Sequence, residues 1–373
     1  MRLIILTVII VNCVDTSFSQ DKRGIFRDSV DNAFDISRWL LDLHGFIPLL
    51  SPITEPAVGY GLAGAGVYFI PKKKANSPGF KMPDIVGLGG GFTQNGTWFA
   101  GGGYIGFWKD NHIRYRGILG YGNIRLKYYG LGEGPLSTDP ASFRLESLFF
   151  LQQLQFRIHT SNFFLGGNYL FNKTKIHFFE ESDVPDIDPR DSDLVNSGIT
   201  LIGEYESFNN ILSPTRGIRI QFSYRKYLEF LGSDQNSQRL GFFTLAYIPV
   251  FDRWVAGIRL ESFLASDNTP FFLLPYINLR GVPALRYQGE LTALAETEQY
   301  FNVYKRWGMV AFAGYGRTVN DLGSSGNGSK AWNAGGGFRY LIARHLGLQM
   351  GIDVGWGPEN WAFYIIFGSS WLK

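Results

Sequence analysis

From Gly45 onward, short stretches of alternating apolar and polar residues recur, each broken by turn residues, and this pattern constrains the chain more than any other feature. A period of two belongs to strands, because successive side chains of a strand point to opposite faces. Asn95-Gly96, set between Ile85–Thr93 and Thr97–Trp108, is the clearest hairpin signal. Beyond the N-terminal residues no apolar run approaches the roughly 18 residues of a membrane helix. Any membrane span in this chain must therefore be a strand.

Composition points the same way. Aromatic residues make up 16% of the 373-residue chain, with 46 glycines, one cysteine and four methionines. Aromatic girdles and glycine-bearing strands are marks of a transmembrane barrel. A hydrophobic fraction of 45% and mean hydropathy of −0.04 exclude a helical membrane bundle. The formal charge of +3 is too small for a nucleic-acid binder, and the aromatics are not interleaved with basic runs.

Met1–Ser19 reads as a secretory signal, with Arg2, the apolar Leu3–Val11 and a small-x-small site at Ser17-Phe18-Ser19. Cys13 leaves with it, so the mature chain from Gln20 has no thiol chemistry. Residues 20–44 form an N-terminal segment in which Asp28–His44 is predicted to be one amphipathic helix. Val30, Phe34, Trp39, Leu40 and Leu43 lie on one of its faces, with Asp28 as the N-cap. Such a helix can lie at the membrane surface, plug the lumen or cap one end of the barrel.

Residues 45–373 are predicted to form an all-β, antiparallel transmembrane barrel of about sixteen strands. The first strands are Gly45–Ile53 and Ala57–Ile70, and the last are Leu346–Trp356 and Trp361–Trp371. In His112–Gly130 the apolar face changes between Leu119 and Ile124, which predicts a bulge near Gly122. Connections after even strands are short, as at Asp252-Arg253 and Lys305-Arg306-Trp307. Those after odd strands are longer, as at Leu131–Ser142 and Phe179–Asp193, which is the expected asymmetry of inner turns and outer loops. The lysine-rich 71–83 connection, Thr54–Pro56, Asn95-Gly96 and Gly357–Asn360 do not follow it.

The connection Pro275–Glu290 is too apolar for a solvated loop, yet it carries Arg280 and Arg286. Each guanidinium needs a carboxylate or carbonyl partner there. Gly281 beside Pro283 implies a fixed turn. The acidic stretch 179–193 has calcium-like oxygen donors without the calcium-loop order, so it reads as a solvated loop. The glycine runs 89–91 and 101–103 lie in strands and are not followed by Lys-Ser/Thr, so they are not phosphate cradles. The five histidines have no matched serine motif and no Gly-x-Ser-x-Gly occurs, which argues against an enzyme. No cofactor, catalytic residue or metal ligand is assigned.

Several short motifs occur in a telling order. These are Gly45-Phe46-Ile47-Pro48 with Thr54-Glu55-Pro56-Ala57-Val58-Gly59-Tyr60-Gly61, then Ser213-Pro214-Thr215-Arg216-Gly217, then Leu279-Arg280-Gly281. Asp353-Val354-Gly355-Trp356-Gly357-Pro358 and an aromatic last strand follow. Across nearly all of residues 20–373 the sequence resembles BamA/TamA-type outer-membrane proteins (the bacterial surface antigen family), in a form without POTRA domains. The resemblance implies the outer membrane of a Gram-negative bacterium and a loop folded into the lumen. It also implies insertion or translocation of other proteins at a weak seam between the first and last strands. Contacts would then be with outer-membrane lipid and with other outer-membrane proteins, as clients or complex partners. Pro48 and Pro52, which lack ladder donors, fit such a seam. The family's wall aspartate is replaced by glycine in Phe312-Ala313-Gly314-Tyr315-Gly316. Asp353, Glu296 and Glu298 are therefore the expected partners of Arg280. A pore or small-solute channel, and a structural subunit of a larger complex, are the other readings.

Overall fold

The computed structural model describes residues 26–42, 46–70, 72, 83–131, 135–179, 193–210, 212–320 and 328–371. The predicted signal with Cys13, most of the acidic 179–193 stretch and most of the lysine-rich connection lie outside these residues. Sixteen antiparallel strands pair in chain order in a single sheet. They are β1 Phe46–Ile53, β2 Gly61–Ile70, β3 Asp84–Thr93, β4 Trp98–Trp108, β5 Ile113–Tyr128 and β6 Ala141–Arg157. The middle of the barrel is β7 Phe163–Phe178, β8 Asp193–Glu206, β9 Gly217–Tyr227, β10 Ser237–Phe251 and β11 Trp254–Ala265. It ends with β12 Leu291–Tyr304, β13 Trp307–Val319, β14 Lys330–Ala343, β15 Leu348–Trp356 and β16 Trp361–Phe367.

Alternation along these strands makes two walls. The outer one is apolar and open: Leu50, Leu88, Leu201 and Phe222 are all at least 60% exposed. A soluble domain would bury such side chains, whereas a bilayer solvates them. Trp98, Trp332, Trp356 and Trp361 ring the end with the longer loops, and Trp108, Trp254 and Trp307 ring the end with the short turns. No helix among the described residues is long and apolar enough to cross a membrane.

The structure corrects the sequence reading in four places. First, β5 has no bulge at Gly122, because its register with β4 and β6 is continuous. Its odd residues face outward throughout. Leu126 and Tyr128 face inward at the loop end, where the lumen is filled by apolar groups. Two apolar faces at different heights had mimicked a phase change. Second, β2 begins at Gly61 rather than Ala57. The N–H groups of Val58 and Gly59 return to Glu55 O, and Gly59 takes φ 78°, so the chain turns before extending. The first loop is thereby longer than the predicted Thr54–Pro56.

Third, the N-terminal helix is only α1, Ser37–Asp42. The carboxylates of Asp28, Asp31 and Asp35 accept the N–H groups of Val30, Ala33 and Ser37, which breaks residues 28–36 into tight turns. The same acids hold this segment across the turn end. Arg306 donates to Asp31 and Asp35 at 2.6 Å each and also to Asp28, while Arg344 donates to Asp28. Ile36 N–H meets Ile342 O at 2.9 Å.

Fourth, the last strand stops at Phe367. Gly368 turns the chain at φ 77°, and Trp371, 3% exposed, enters the lumen against Leu245 and Tyr247.

Candidate functional site

The connection between β11 and β12 folds back into the barrel because of its apolar side chains. Ile277, Leu279, Val282 and Tyr287 cluster with Leu294 and Ala331 of the inner wall. Phe271, Leu274 and Leu285 form a second cluster with Tyr128, Phe143 and Ile176. Each fully buried aliphatic or aromatic side chain stabilises docking by about 1.5–3 kcal/mol before entropy is counted. A bridge between Tyr276 and Gln288 closes the base of the loop, and Gly281 at φ 84° with Leu285 at φ 62° sets its tip.

At that tip Arg280 is 10% exposed and faces three carboxylates. Its Nη1 lies 2.7 Å from Glu298 Oε2 and 2.8 Å from Asp353 Oδ2, and its Nη2 lies 3.1 Å from Glu296 Oε1. The Phe312 ring covers the guanidinium at 3.4 Å. Thus Arg280 and the acids singled out from the sequence, Glu296, Glu298 and Asp353, come together. Glu296 and Glu298 do share one face of β12.

The residues completing this network were not singled out in the sequence. Arg259 ties Glu261 to Glu296, at 2.8 and 2.9 Å, and donates to the carbonyl of Asn278 in the loop. Arg339 holds Asp353, Asn333 donates to Glu296 at 3.0 Å, and the Trp371 indole donates to Glu296 at 2.6 Å. Three guanidiniums and four carboxylates therefore alternate, so no buried charge stands alone. The pairing of Arg259 with Glu296 was readable in principle, because the two are cross-strand neighbours on β11 and β12.

At position 314, where the resemblance led to the expectation of an aspartate, there is no room for a side chain. A Cβ there would lie 2.6 Å from Asn333 Oδ1 and 3.0 Å from Leu279 Cδ2. At Gly316 a Cβ would lie 2.7 Å from Ile277. These glycines are slots for the loop, and the latch carboxylates sit on β12 and β15 instead. Gly314→Asp is expected to loosen the loop by about 1–3 kcal/mol through overpacking. Thermal melting of the folded barrel, read by heat-modifiable gel mobility, checks this.

Arg286 makes a second tie. It pairs with Glu359 between β15 and β16 at 2.5 Å and packs over the Tyr129 ring at 4.3 Å. The Tyr287 hydroxyl donates to the same Glu359.

The barrel closes loosely. No backbone ladder joins β1 to β16 among the described residues. Pro48 and Pro52 share parity, so both missing N–H groups fall on one edge of β1. The ladder to β2 runs unbroken from Phe46 to Ile53, which places that edge toward β16. Across the gap Thr54 Oγ1 donates to Phe363 O, and the Tyr60 and Phe363 rings stack at 6.5 Å. The loop touches both sides from within. Gly281 N–H donates to Tyr364 Oη at 2.8 Å, and Ala284 N–H to Glu55 Oε1 at 3.3 Å.

Among the described residues no cluster of histidine, cysteine, aspartate and glutamate has the arrangement of a metal site. The fold and this loop define a class: a sixteen-stranded transmembrane barrel whose lumen is occupied by an arginine-latched loop. Solved structures place the fold further. The chain is similar to BamA from Haemophilus ducreyi lacking POTRA domains 1–3, with a TM-score of 0.57 and 13% identity over 87% of this chain and 70% of that one. It is similar to CdiB from Acinetobacter baumannii (TM-score 0.59, 12% identity, 87% and 59% covered) and from Escherichia coli (0.60, 11%, 86% and 62%). It thus spans about three fifths of the CdiB chains. The fold is that of BamA/TamA-type barrels, and at these identities the likeness is one of fold. No protein-family model matches the sequence, and no curated protein matches it.

Proposed function

We propose that this chain is an outer-membrane barrel that inserts or translocates other proteins, working at the seam between β1 and β16. One observation carries the reading: every neighbouring pair of strands is zipped except the first with the last, and the Arg280 loop bridges that gap from inside. An edge strand with free donors and acceptors is a template for another strand. The acidic network positions the loop, so that loop and seam act together. On this reading the long-loop end faces outward in a Gram-negative outer membrane, and the N-terminal segment lies on the periplasmic side. Its partners are bilayer lipid and client proteins, and no bond-making chemistry is required of it. Depleting the protein is expected to lower the abundance of other outer-membrane barrels, measured by quantitative proteomics of the membrane. Unchanged barrel levels after full depletion would exclude the reading.

A further inference from the structure

The inner wall is electrically lopsided. Arg114, Arg116, Arg157, Arg219, Arg225 and Arg239 face the lumen from β5, β6, β9 and β10, against only Glu204 and Glu206 from β8. The two glutamates are taken up by Arg114 and Arg219. Arg116 and Arg239 have no carboxylate within ion-pairing distance among the described residues. Arg239 has only the carbonyl of Leu273 at 3.5 Å and the Phe263 ring at 4.4 Å.

Arg116, Arg219 and Arg239 line one cavity of 340 Å³ beneath the loop, together with Gln153, Gln221 and Asn278. The acid on its wall, Glu261, is held by Arg259. Guanidiniums with spare donors beside neutral amides form a receptor for an oxyanion.

A second cavity, of 990 Å³, shares Arg116 with the first and has no other charged residue on its lining. Leu49, Ala65, Gly89, Gly103, Ile118 and Phe149 are on its walls. Strands β2 to β5 contribute glycine and alanine where a barrel lumen is ordinarily polar. Leu49 and Ser51 of β1 also border this space, so it adjoins the seam.

We propose that the lumen binds a phosphate-bearing lipid, its oxyanion on Arg116, Arg219 and Arg239 and its acyl chain along the glycine–alanine wall of β2 to β5. Charge complementarity selects the headgroup, and the apolar cavity beside it selects a lipid over a free phosphate. The seam gives the chain a path from the bilayer. This site does not depend on the insertase reading, since a barrel with any role could carry it.

The test uses the full chain in a non-ionic detergent, titrated with lysophosphatidylglycerol, lysophosphatidylcholine or inorganic phosphate and read by native mass spectrometry. Lysophosphatidylglycerol is expected to form a one-to-one complex at concentrations at least tenfold lower than either of the others. Arg116→Gln with Arg239→Gln should weaken it tenfold or more, each single variant should weaken it partly, and heat-modifiable mobility verifies folding. Equal binding of the zwitterionic lipid, undiminished binding by the folded double variant, or phosphate binding as tightly as the lipid would each overturn the proposal.

Discussion

Arg280→Ala is expected to free the lumenal loop while leaving the sixteen strands paired. The substitution strips Glu296, Glu298 and Asp353 of a shared cation at a site where Glu296 and Asp353 are inaccessible to solvent. Removing one partner of a buried ion pair destabilises by about 3–5 kcal/mol, because the remaining charges stay buried without compensation. Here Arg259 and Arg339 still neutralise Glu296 and Asp353, while Glu298 loses its 2.7 Å partner and keeps only Arg339 at 3.8 Å and the Ser370 hydroxyl. The barrel ladders do not involve Arg280, so the loss falls on loop docking. Trypsin should then cut at Arg286, a site covered by Glu359 and Tyr129 in the intact protein. Arg280→Lys should rescue poorly, since an ammonium cannot span three carboxylates and stack on Phe312. An Arg280→Ala protein as resistant to trypsin as the parent would mean that the apolar clusters alone hold the loop.

The N-terminal segment should be released by a single change at the opposite end. Arg306 binds Asp28, Asp31 and Asp35 at once and also reaches the carbonyls of Phe34 and Leu341. Arg306→Ala leaves Asp28 with Arg344 and strips Asp31 and Asp35 of the guanidinium they pair with, so residues 28–36 are expected to exchange amide hydrogens roughly tenfold faster. Acid should have the same effect as the substitution. Asp28 is held below the usual carboxylate range by Arg344 and by the Val30 N–H, and Asp31 by Arg306. Burial pushes Asp35 upward, but hydrogen bonds from Ser37, Arg344 and Arg306 outweigh it. Carboxylates with lowered pKa stabilise the folded form above their unfolded value, near 4, and that contribution fades as pH drops through the folded values. The segment should therefore stay protected from pH 7 to about 4 and loosen only below that, as hydrogen exchange corrected for intrinsic rates can follow.

The strand count was legible because alternation and turn residues are local signals. Pro275–Glu290 also announced itself by combining apolar side chains with two arginines. What was hidden depended on distant pairing. Trp371 looked like the end of a strand, and only the left-handed turn at Gly368 sends it to Glu296. The aspartates of residues 28–36 looked like the polar face of a helix, until their backbone hydrogen bonds and Arg306 made them a clamp. Glycine at position 314 looked like a lost partner, whereas it is the space into which Leu279 fits.

The central claim is that the seam between β1 and β16 opens when the protein works. Cysteines placed at Thr54 and Phe363, where the Thr54 hydroxyl meets the Phe363 carbonyl across the gap, are the pair with which to lock it, disulfide formation being verified by gel mobility. The measurement is the abundance of other outer-membrane barrels in depleted cells that carry only this double variant. Oxidised, it should fail to restore them, and a reductant should return activity to the level of the parent. Full restoration by a completely cross-linked barrel would contradict the account.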